Sequence, residues 1–174
     1  YNEQGEICIS GPNVMLGYYD NDTATNAIKR VHKDGSVWIH SGDIGYMTEN
    51  GNLFIIDRVK KMIVRYDGFK VFPSLIEKTV SSHKAVEACC AVGIPDNEHS
   101  QGKLPVVCVL LNSKYAGKSA KIEEELIALC KKELPEYAQP VAYQFRESLP
   151  LTPIGKLDYR TIEQELEEQK ISKY

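Results

Sequence analysis

Asp57-Arg58-Val59-Lys60-Lys61 breaks the chain in two. This charged pentapeptide contains no apolar pair and interrupts two apolar runs, Leu53 to Ile56 and Met62 to Val64. Before it, the pattern is β-rich. Glu6 to Ile9 alternates polar and apolar side chains and predicts a short strand, closed by Gly11-Pro12. Asp22 to Ile28 predicts a short capped helix. Val37 to His40, Ile44 to Met47 and Leu53 to Ile56 predict three further strands. Asn50-Gly51 between the last two is a hairpin signal, because these residue types tolerate positive φ.

After the break the pattern changes. Met62 to Val64 and Phe69 to Phe72 read as partner strands around a turn at Tyr66-Asp67-Gly68. Pro73 opens a helix, where its missing N–H costs nothing, and Leu75, Ile76, Thr79 and Val80 form the expected buried stripe. Val86 to Ile94 predicts a strand. A polar loop follows from Pro95 to Lys103, and the continuous apolar run Leu104 to Leu111 predicts a central strand. A helix over 120–133 is opened by Ser119 and stopped before Pro135, with Ile122, Leu126, Leu129 and Cys130 on one face. Val141 to Phe145 predicts a strand and Ser148 to Leu157 a loop. Asp158 to Gln169 predicts an acidic helix with Ile162 and Leu166 facing inward, and Glu167 to Tyr174 forms a polar tail. From about residue 60 the order is therefore β-β-α-β-β-α-β-loop-α, an α+β sandwich.

Composition narrows the function classes. The 174 residues are 43% hydrophobic and 26% charged, values of a folded chain rather than a disordered one. A net charge of -3 gives no global argument for nucleic acid or for an anionic membrane surface. No apolar run is long enough to span a bilayer. Tyr1 to Glu6 has no initiator Met, basic segment or apolar segment, so it is no signal peptide and reads as the start of a piece cut from a longer chain. The five cysteines are odd in number, include the adjacent Cys89-Cys90 and contain no C-x-x-C, so neither a disulfide framework nor a zinc site is expected. A reducing cytosol fits them. His32, His40, His83 and His99 show no metal-ligand spacing and are given ordinary structural or surface roles.

Three segments could carry chemistry, and each has two readings. In His40-Ser41-Gly42-Asp43-Ile44-Gly45, Asp43 fits a plain Asx turn. It equally fits a carboxylate that accepts two hydroxyl hydrogen bonds from a sugar diol. Asp57 to Lys61 fits a solvated linker, or a ligand-facing Arg58 beside a flexible pivot at Lys60. In Leu149-Pro150-Leu151-Thr152-Pro153-Ile154-Gly155-Lys156, Lys156 fits an ordinary surface lysine, or a charge held on a shaped loop for phosphate or carboxylate.

The order of the motifs decides between these readings. S-G-D, D-R-V-K-K, G-F-K-V-F-P-S-L-I-E, L-P-E-Y and P-L-T-P-I-G-K-L-D follow one another, after an opening G-E-I-C-I-S-G-P-N-V-M-L-G-Y-Y. Together they resemble the adenylate-forming superfamily of acyl-CoA synthetases, peptide-synthetase adenylation domains and luciferases, and most of all a bacterial acyl-CoA ligase of fatty acid metabolism. The resemblance covers nearly the whole chain. It implies residues 1–57 as the end of the β-subdomain of a large N-terminal domain, 58–61 as a hinge, and 62–174 as a small mobile C-terminal domain. That small domain is expected to hold a three-stranded sheet, a β-hairpin and flanking helices.

The implied reaction has two steps. A carboxylate attacks the α-phosphate of ATP to give an acyl-adenylate and pyrophosphate, and the thiol of CoA then displaces AMP. By resemblance Asp43 and Arg58 bind the ribose, and Lys60 is the hinge. Gly68 lines the pantetheine tunnel, and Lys156 bridges carboxylate and α-phosphate. ATP/AMP, CoA and Mg2+ are the implied small molecules, with the Mg2+ ligands mainly in the missing N-terminal domain. The implied partners are a small carboxylate, CoA and that N-terminal domain, without nucleic acid, and the implied compartment is the cytoplasm. No metal ligand is assigned within the chain, and the fragment alone is not expected to adenylate. The alternative is a non-enzymatic ligand- or partner-binding module that kept the fold, against which the presence of both Arg58 and Lys156 argues. Three departures stand out: Ser41 where the family usually has Thr, Asp57 where Gly is most frequent, and one residue more than usual between Lys60 and Gly68, expected in the Val64 to Asp67 turn.

Overall fold

The computed structural model describes residues 1–169; Lys170 to Tyr174 of the polar tail lie outside the described residues. The chain divides into two compact units, Tyr1–Lys60 and Lys61–Tyr174.

The first unit contains β1 (Gly5–Ile9), α1 (Asp22–Ile28), β2 (Lys29–Val31), β3 (Val37–Met47) and β4 (Leu53–Arg58). All three other strands pair antiparallel with β3. Ile44 pairs with Glu6 on β1 and with Asp57 on β4, and Ile39 pairs with Ile9 on β1 and with Lys29 on β2. So β1 lies along one edge of β3, and β2 and β4 share the other. The two strands expected at Val37 to His40 and Ile44 to Met47 are thus one strand of 11 residues. Gly42 makes this possible. Its φ of +73° carries the chain through Ser41-Gly42-Asp43 without ending the strand, and the register shifts between Ile44 and Gly45.

The hairpin from β3 to β4 closes through Gly51 N–H donating to Thr48 O at 2.9 Å and Thr48 N–H donating to Asn52 O at 2.9 Å. Of the Asn50-Gly51 pair, only Gly51 takes positive φ (+78°). None of the buried hydrophobic residues falls in this unit, and Val31, Leu53, Phe54 and Ile55 are exposed.

The second unit holds the core. It contains β5 (Ile63–Val64), β6 (Lys70–Val71), α2 (Pro73–Ser81), β7 (Val86–Pro95), β8 (Lys103–Leu111), α3 (Ser119–Glu133), β9 (Ala142–Arg146) and α4 (Tyr159–Glu168). β5 and β6 form a hairpin, and β7, β8 and β9 form a three-stranded sheet with β8 in the middle. β7 pairs antiparallel and β9 parallel to β8. A parallel neighbour needs a crossover, and α3 supplies it.

Alternation along the strands sorts the side chains to two faces. Cys89, Ala91, Val107 and Val109 pack with Ile76 and Val80 of α2 and with Ile122, Leu126 and Cys130 of α3. Cys90, Val92, Val106 and Cys108 pack with Ile162 and Leu166 of α4. Both faces are covered, which is why these strands read as continuous apolar runs. All five cysteines are free, four of them buried.

Two local expectations are corrected. Leu75 is exposed, because α2 buries the narrower stripe of Pro73, Ile76 and Val80. Ser119 is the first helical residue of α3 and not its cap; the cap position is Lys118, which makes no side-chain capping bond. Asp158 does cap α4, accepting from Thr161 N at 3.3 Å and from Thr161 Oγ1 at 3.0 Å.

Candidate functional site

Asp43 and Arg58 face each other across β3 and β4 as register partners. Arg58 Nε lies 3.0 Å from Asp43 Oδ1. The Arg58 side chain is 68% exposed and that of Asp43 24%, so the pair presents a carboxylate and a guanidinium edge at the surface of the first unit. Local bonds set both backbones. Asp43 N–H donates to Ser41 Oγ at 3.0 Å, so the serine hydroxyl braces the turn. Gly42 N–H donates to Glu6 Oε1 at 3.1 Å. Arg58 N–H donates to Asp57 Oδ1 at 2.7 Å, and Asp57 is buried. The strand then passes into a single 3-10 turn, Val59–Lys61, which carries an exposed Lys60.

Gly68 and Lys156 sit on separate turns of the second unit. The turn around Gly68 closes by Gly68 N–H donating to Arg65 O and Arg65 N–H donating to Phe69 O, both at 3.0 Å. Gly68 has φ +84°, and a Cβ there would meet no atom within 4 Å, so its Cα faces open space. This turn is stiffened from inside. Arg65 binds the Asp67 carboxylate through Nη2 at 3.0 Å and Nε at 3.3 Å. That bond holds the Asp67 carboxyl below the usual carboxylate range and raises Arg65.

Aromatic pairs brace the same turn from outside. Tyr66 stacks on His99 with ring centroids 3.5 Å apart, and Phe69 stacks on Tyr137 of the L-P-E-Y motif at 4.6 Å. His99 Nδ1 is held at 2.9 Å by the buried Asp96 carboxylate, which also accepts from Glu98 N–H at 3.0 Å. Gly102 packs its Cα against the Tyr66 backbone.

Lys156 ends the Thr152–Lys156 turn. Thr152 N–H donates to Lys156 O at 2.7 Å, Gly155 N–H to Thr152 O at 2.8 Å, and Lys156 N–H to Thr152 Oγ1 at 3.2 Å. Gly155 supplies the φ of +75° the turn needs, and Leu151 and Leu157 pair across its base. Lys156 is exposed, and among the described residues it forms no salt bridge. A lysine on a hydrogen-bonded turn with its ammonium in solvent can meet an anion without first breaking an ion pair.

The structure also groups residues that spacing did not single out. Asp96, His99 and Gly102 belong to the polar loop after β7, and only folding brings them to Tyr66. Cys8, His32 and His40 each offer a ligand atom within 4.8 Å of the others. They lie on β1, just after β2 and on β3, so no linear motif could reveal them.

Residues 75–156 match the family model of the AMP-binding enzyme C-terminal domain. The chain is 39% identical over 163 residues to a long-chain-fatty-acid–CoA ligase of Salmonella typhimurium, spanning 94% of this chain and 27% of the relative. It is 35% identical over 161 residues to 4-coumarate–CoA ligase-like 1 of Arabidopsis thaliana, spanning 92% of this chain and 28% of the relative. Among solved structures, o-succinylbenzoate CoA synthetase of Bacillus subtilis, in complex with an acyl-adenylate intermediate, superposes with a TM-score of 0.75 at 29% identity, covering 92% of this chain and 30% of that one. The fold and motifs are therefore those of an AMP-binding C-terminal domain with a β-rich segment before it. Residues 75–156 belong to the AMP-binding enzyme C-terminal domain family, and the chain as a whole is similar to the C-terminal part of adenylate-forming ligases. Among the described residues, no helix is long and apolar enough to cross a membrane.

Proposed function

We propose that this chain is the C-terminal part of an ATP-dependent acid–thiol ligase, acting in the cytoplasm together with an N-terminal domain of the same protein. The Asp43–Arg58 pair carries the reading. A half-exposed acceptor and an exposed planar donor at a strand end suit the two vicinal hydroxyls of a ribose. The first unit supports it as well: with no buried hydrophobic residue of its own, it suits a segment of a larger fold.

In the first step a carboxylate oxygen attacks the α-phosphorus of ATP. The P–O bond to pyrophosphate breaks, giving an acyl-adenylate. Negative charge passes from the attacking carboxylate to the phosphoryl oxygens and the departing pyrophosphate, and the Lys156 ammonium offsets the charge gathered where carboxylate and α-phosphate meet. Bound Mg2+ would neutralise phosphate charge on the nucleotide, and its ligands would lie mainly outside this chain. In the second step the CoA thiolate attacks the acyl carbonyl and AMP departs. Gly68, whose Cα faces open space, leaves room for the pantetheine arm. Lys60, in the 3-10 turn where the two units divide, is the pivot between the two steps.

The test is a panel of carboxylic acids offered to the intact ligase with ATP, with and without CoA. Carboxylate-dependent ATP–pyrophosphate exchange without CoA, and AMP and thioester formation with it, is the expected outcome. Absence of exchange with every acid tried, from a folded enzyme that binds ATP, overturns the reading in favour of a binding module.

A further inference from the structure

We propose that Cys8, His32 and His40 form a zinc site in the first unit, independent of the ligase chemistry. One donor atom from each lies within 4.8 Å of the other two. Cys8 and His40 are register partners on β1 and β3, so the Cys8 thiol lies beside the His40 ring, 3.6 Å from Nδ1, and swings toward the Nε2 side to join the ion. His32 reaches in from the β2–β3 turn, which is closed by His32 N–H donating to Ser36 O and Gly35 N–H donating to His32 O, both at 2.9 Å. Its ring is steadied by stacking on Trp38, with centroids 5.4 Å apart.

A second observation points to a metal. Glu6 Oε2 accepts from His40 Nδ1–H at 2.7 Å, and its other oxygen accepts from Gly42 N–H at 3.1 Å. A carboxylate that fixes the distal nitrogen of a histidine is the usual outer partner of a zinc-bound imidazole. With the proton on Nδ1, the lone pair of His40 Nε2 faces His32 Nε2 at 3.1 Å. Two imidazole nitrogens on one tetrahedral zinc, each at about 2.0–2.1 Å, lie about 3.3 Å apart. The pair is thus spaced as zinc would space it.

Without an ion, one imidazole must donate its proton to the other. Zinc takes that proton's place on Nε2, and the His32 proton moves to its own Nδ1 by exchange through solvent. Cys8 supplies the thiolate, releasing its thiol proton to solvent as the S–Zn bond forms. A CysHis2 donor set is borderline-soft and suits Zn2+ over Mg2+ or Ca2+. Three protein ligands leave the fourth position to water.

The experiment is a Co2+ titration of the full chain under reducing conditions, followed by absorption and then by Zn2+ competition. The expected result is one ion per chain, with a sulfur-to-cobalt charge-transfer band, tetrahedral d–d bands, and displacement of both by one equivalent of Zn2+. Cys8→Ser should remove the charge-transfer band. His32→Ala, at an exposed side chain that the fold does not need, should weaken binding at least tenfold with the far-ultraviolet spectrum unchanged. Cys130→Ser, at a buried thiol in the other unit, should change neither. No charge-transfer band in the unsubstituted chain, a band that survives Cys8→Ser, or unchanged affinity in His32→Ala overturns the site.

Discussion

Arg58 Nε stands 3.0 Å from Asp43 Oδ1, and the two residues are paired in register across β3 and β4. A cross-strand ion pair this exposed adds about 0.2–1 kcal/mol at most, so stability is a weak reason for it. Binding is a stronger one. Asp43→Asn keeps the shape of the side chain and removes the charge that faces the sugar. Loss of a charge-assisted hydrogen bond of about 1.5–3 kcal/mol predicts a KM for ATP raised roughly ten- to hundredfold in the intact ligase. The thermal midpoint should move little. Steady-state kinetics at varied ATP, with a melting curve alongside, measures both. An unchanged KM rules out a ribose contact.

Lys156 tests the adenylation step alone. Its turn is held by bonds from Thr152 and Gly155, so Lys156→Ala should leave the fold intact. Carboxylate-dependent ATP–pyrophosphate exchange should fall by about a hundredfold or more, as for other donors aimed at developing oxyanion charge. Thioester formation from supplied acyl-adenylate should largely survive. Equal loss in both assays assigns Lys156 to general structure instead.

Lys60 tests the pivot. It lies in the 3-10 turn Val59–Lys61. Lys60→Pro fixes φ and removes a backbone N–H. It should slow thioester formation more than adenylation, while Lys60→Ala slows neither strongly. Pre-steady-state measurement of the two half-reactions separates them, and equal slowing by Pro argues against a hinge at this residue.

Much of the second unit could be read from its residues, because burial and spacing agree there. β7 and β8 are apolar on both faces and are buried on both. Asp158 caps the helix whose Ile162 and Leu166 face inward. The first unit was harder. Its β3 runs through Ser41-Gly42-Asp43, where a Gly reads as a break, and β2 is only three residues long. The parallel pairing of β8 with β9 is a tertiary choice with no local signal. The same holds for the candidate site. Asp43, Arg58, Gly68 and Lys156 can each be named from motif order. The Asp43–Arg58 contact depends on strand register, and the Tyr66–His99 stack joins residues 33 apart in sequence.

Glu6 should govern the acid limb of stability in the first unit. Its bond to His40, aided by the Gly42 N–H, lowers its pKa below the ordinary value of about 4.3. The unfolded chain therefore binds the proton more readily than the folded one. Glu6 contributes stability above about pH 4.3, and that contribution is lost as pH falls through its depressed folded value. Glu6→Gln should flatten the pH dependence of stability below about pH 4.3. Urea unfolding across that range, followed by Trp38 fluorescence, reports it. An unchanged slope means the carboxylate is not held by His40 in solution.

Gly102 and Gly68 both take positive φ, +104° and +84°, yet their substitutions should differ sharply. A Cβ on Gly68 meets nothing within 4 Å, so Gly68→Ala carries only the backbone cost of about 1–2 kcal/mol. A Cβ on Gly102 would lie 2.3 Å from Tyr66 N and 2.7 Å from Tyr66 Cα. These are backbone atoms and cannot rotate aside, so the β5–β6 turn and the loop after β7 must separate, loosening the Tyr66–His99 stack. Gly102→Ala should cost upwards of about 3 kcal/mol, beyond the range of ordinary surface changes. For a unit of this size, about 1 kcal/mol corresponds to a midpoint shift of roughly 4–8 °C. Calorimetry of the two variants should therefore show Gly102→Ala melting well below Gly68→Ala. Equal midpoints would show that the loop yields freely and that the stack does not brace the Gly68 turn.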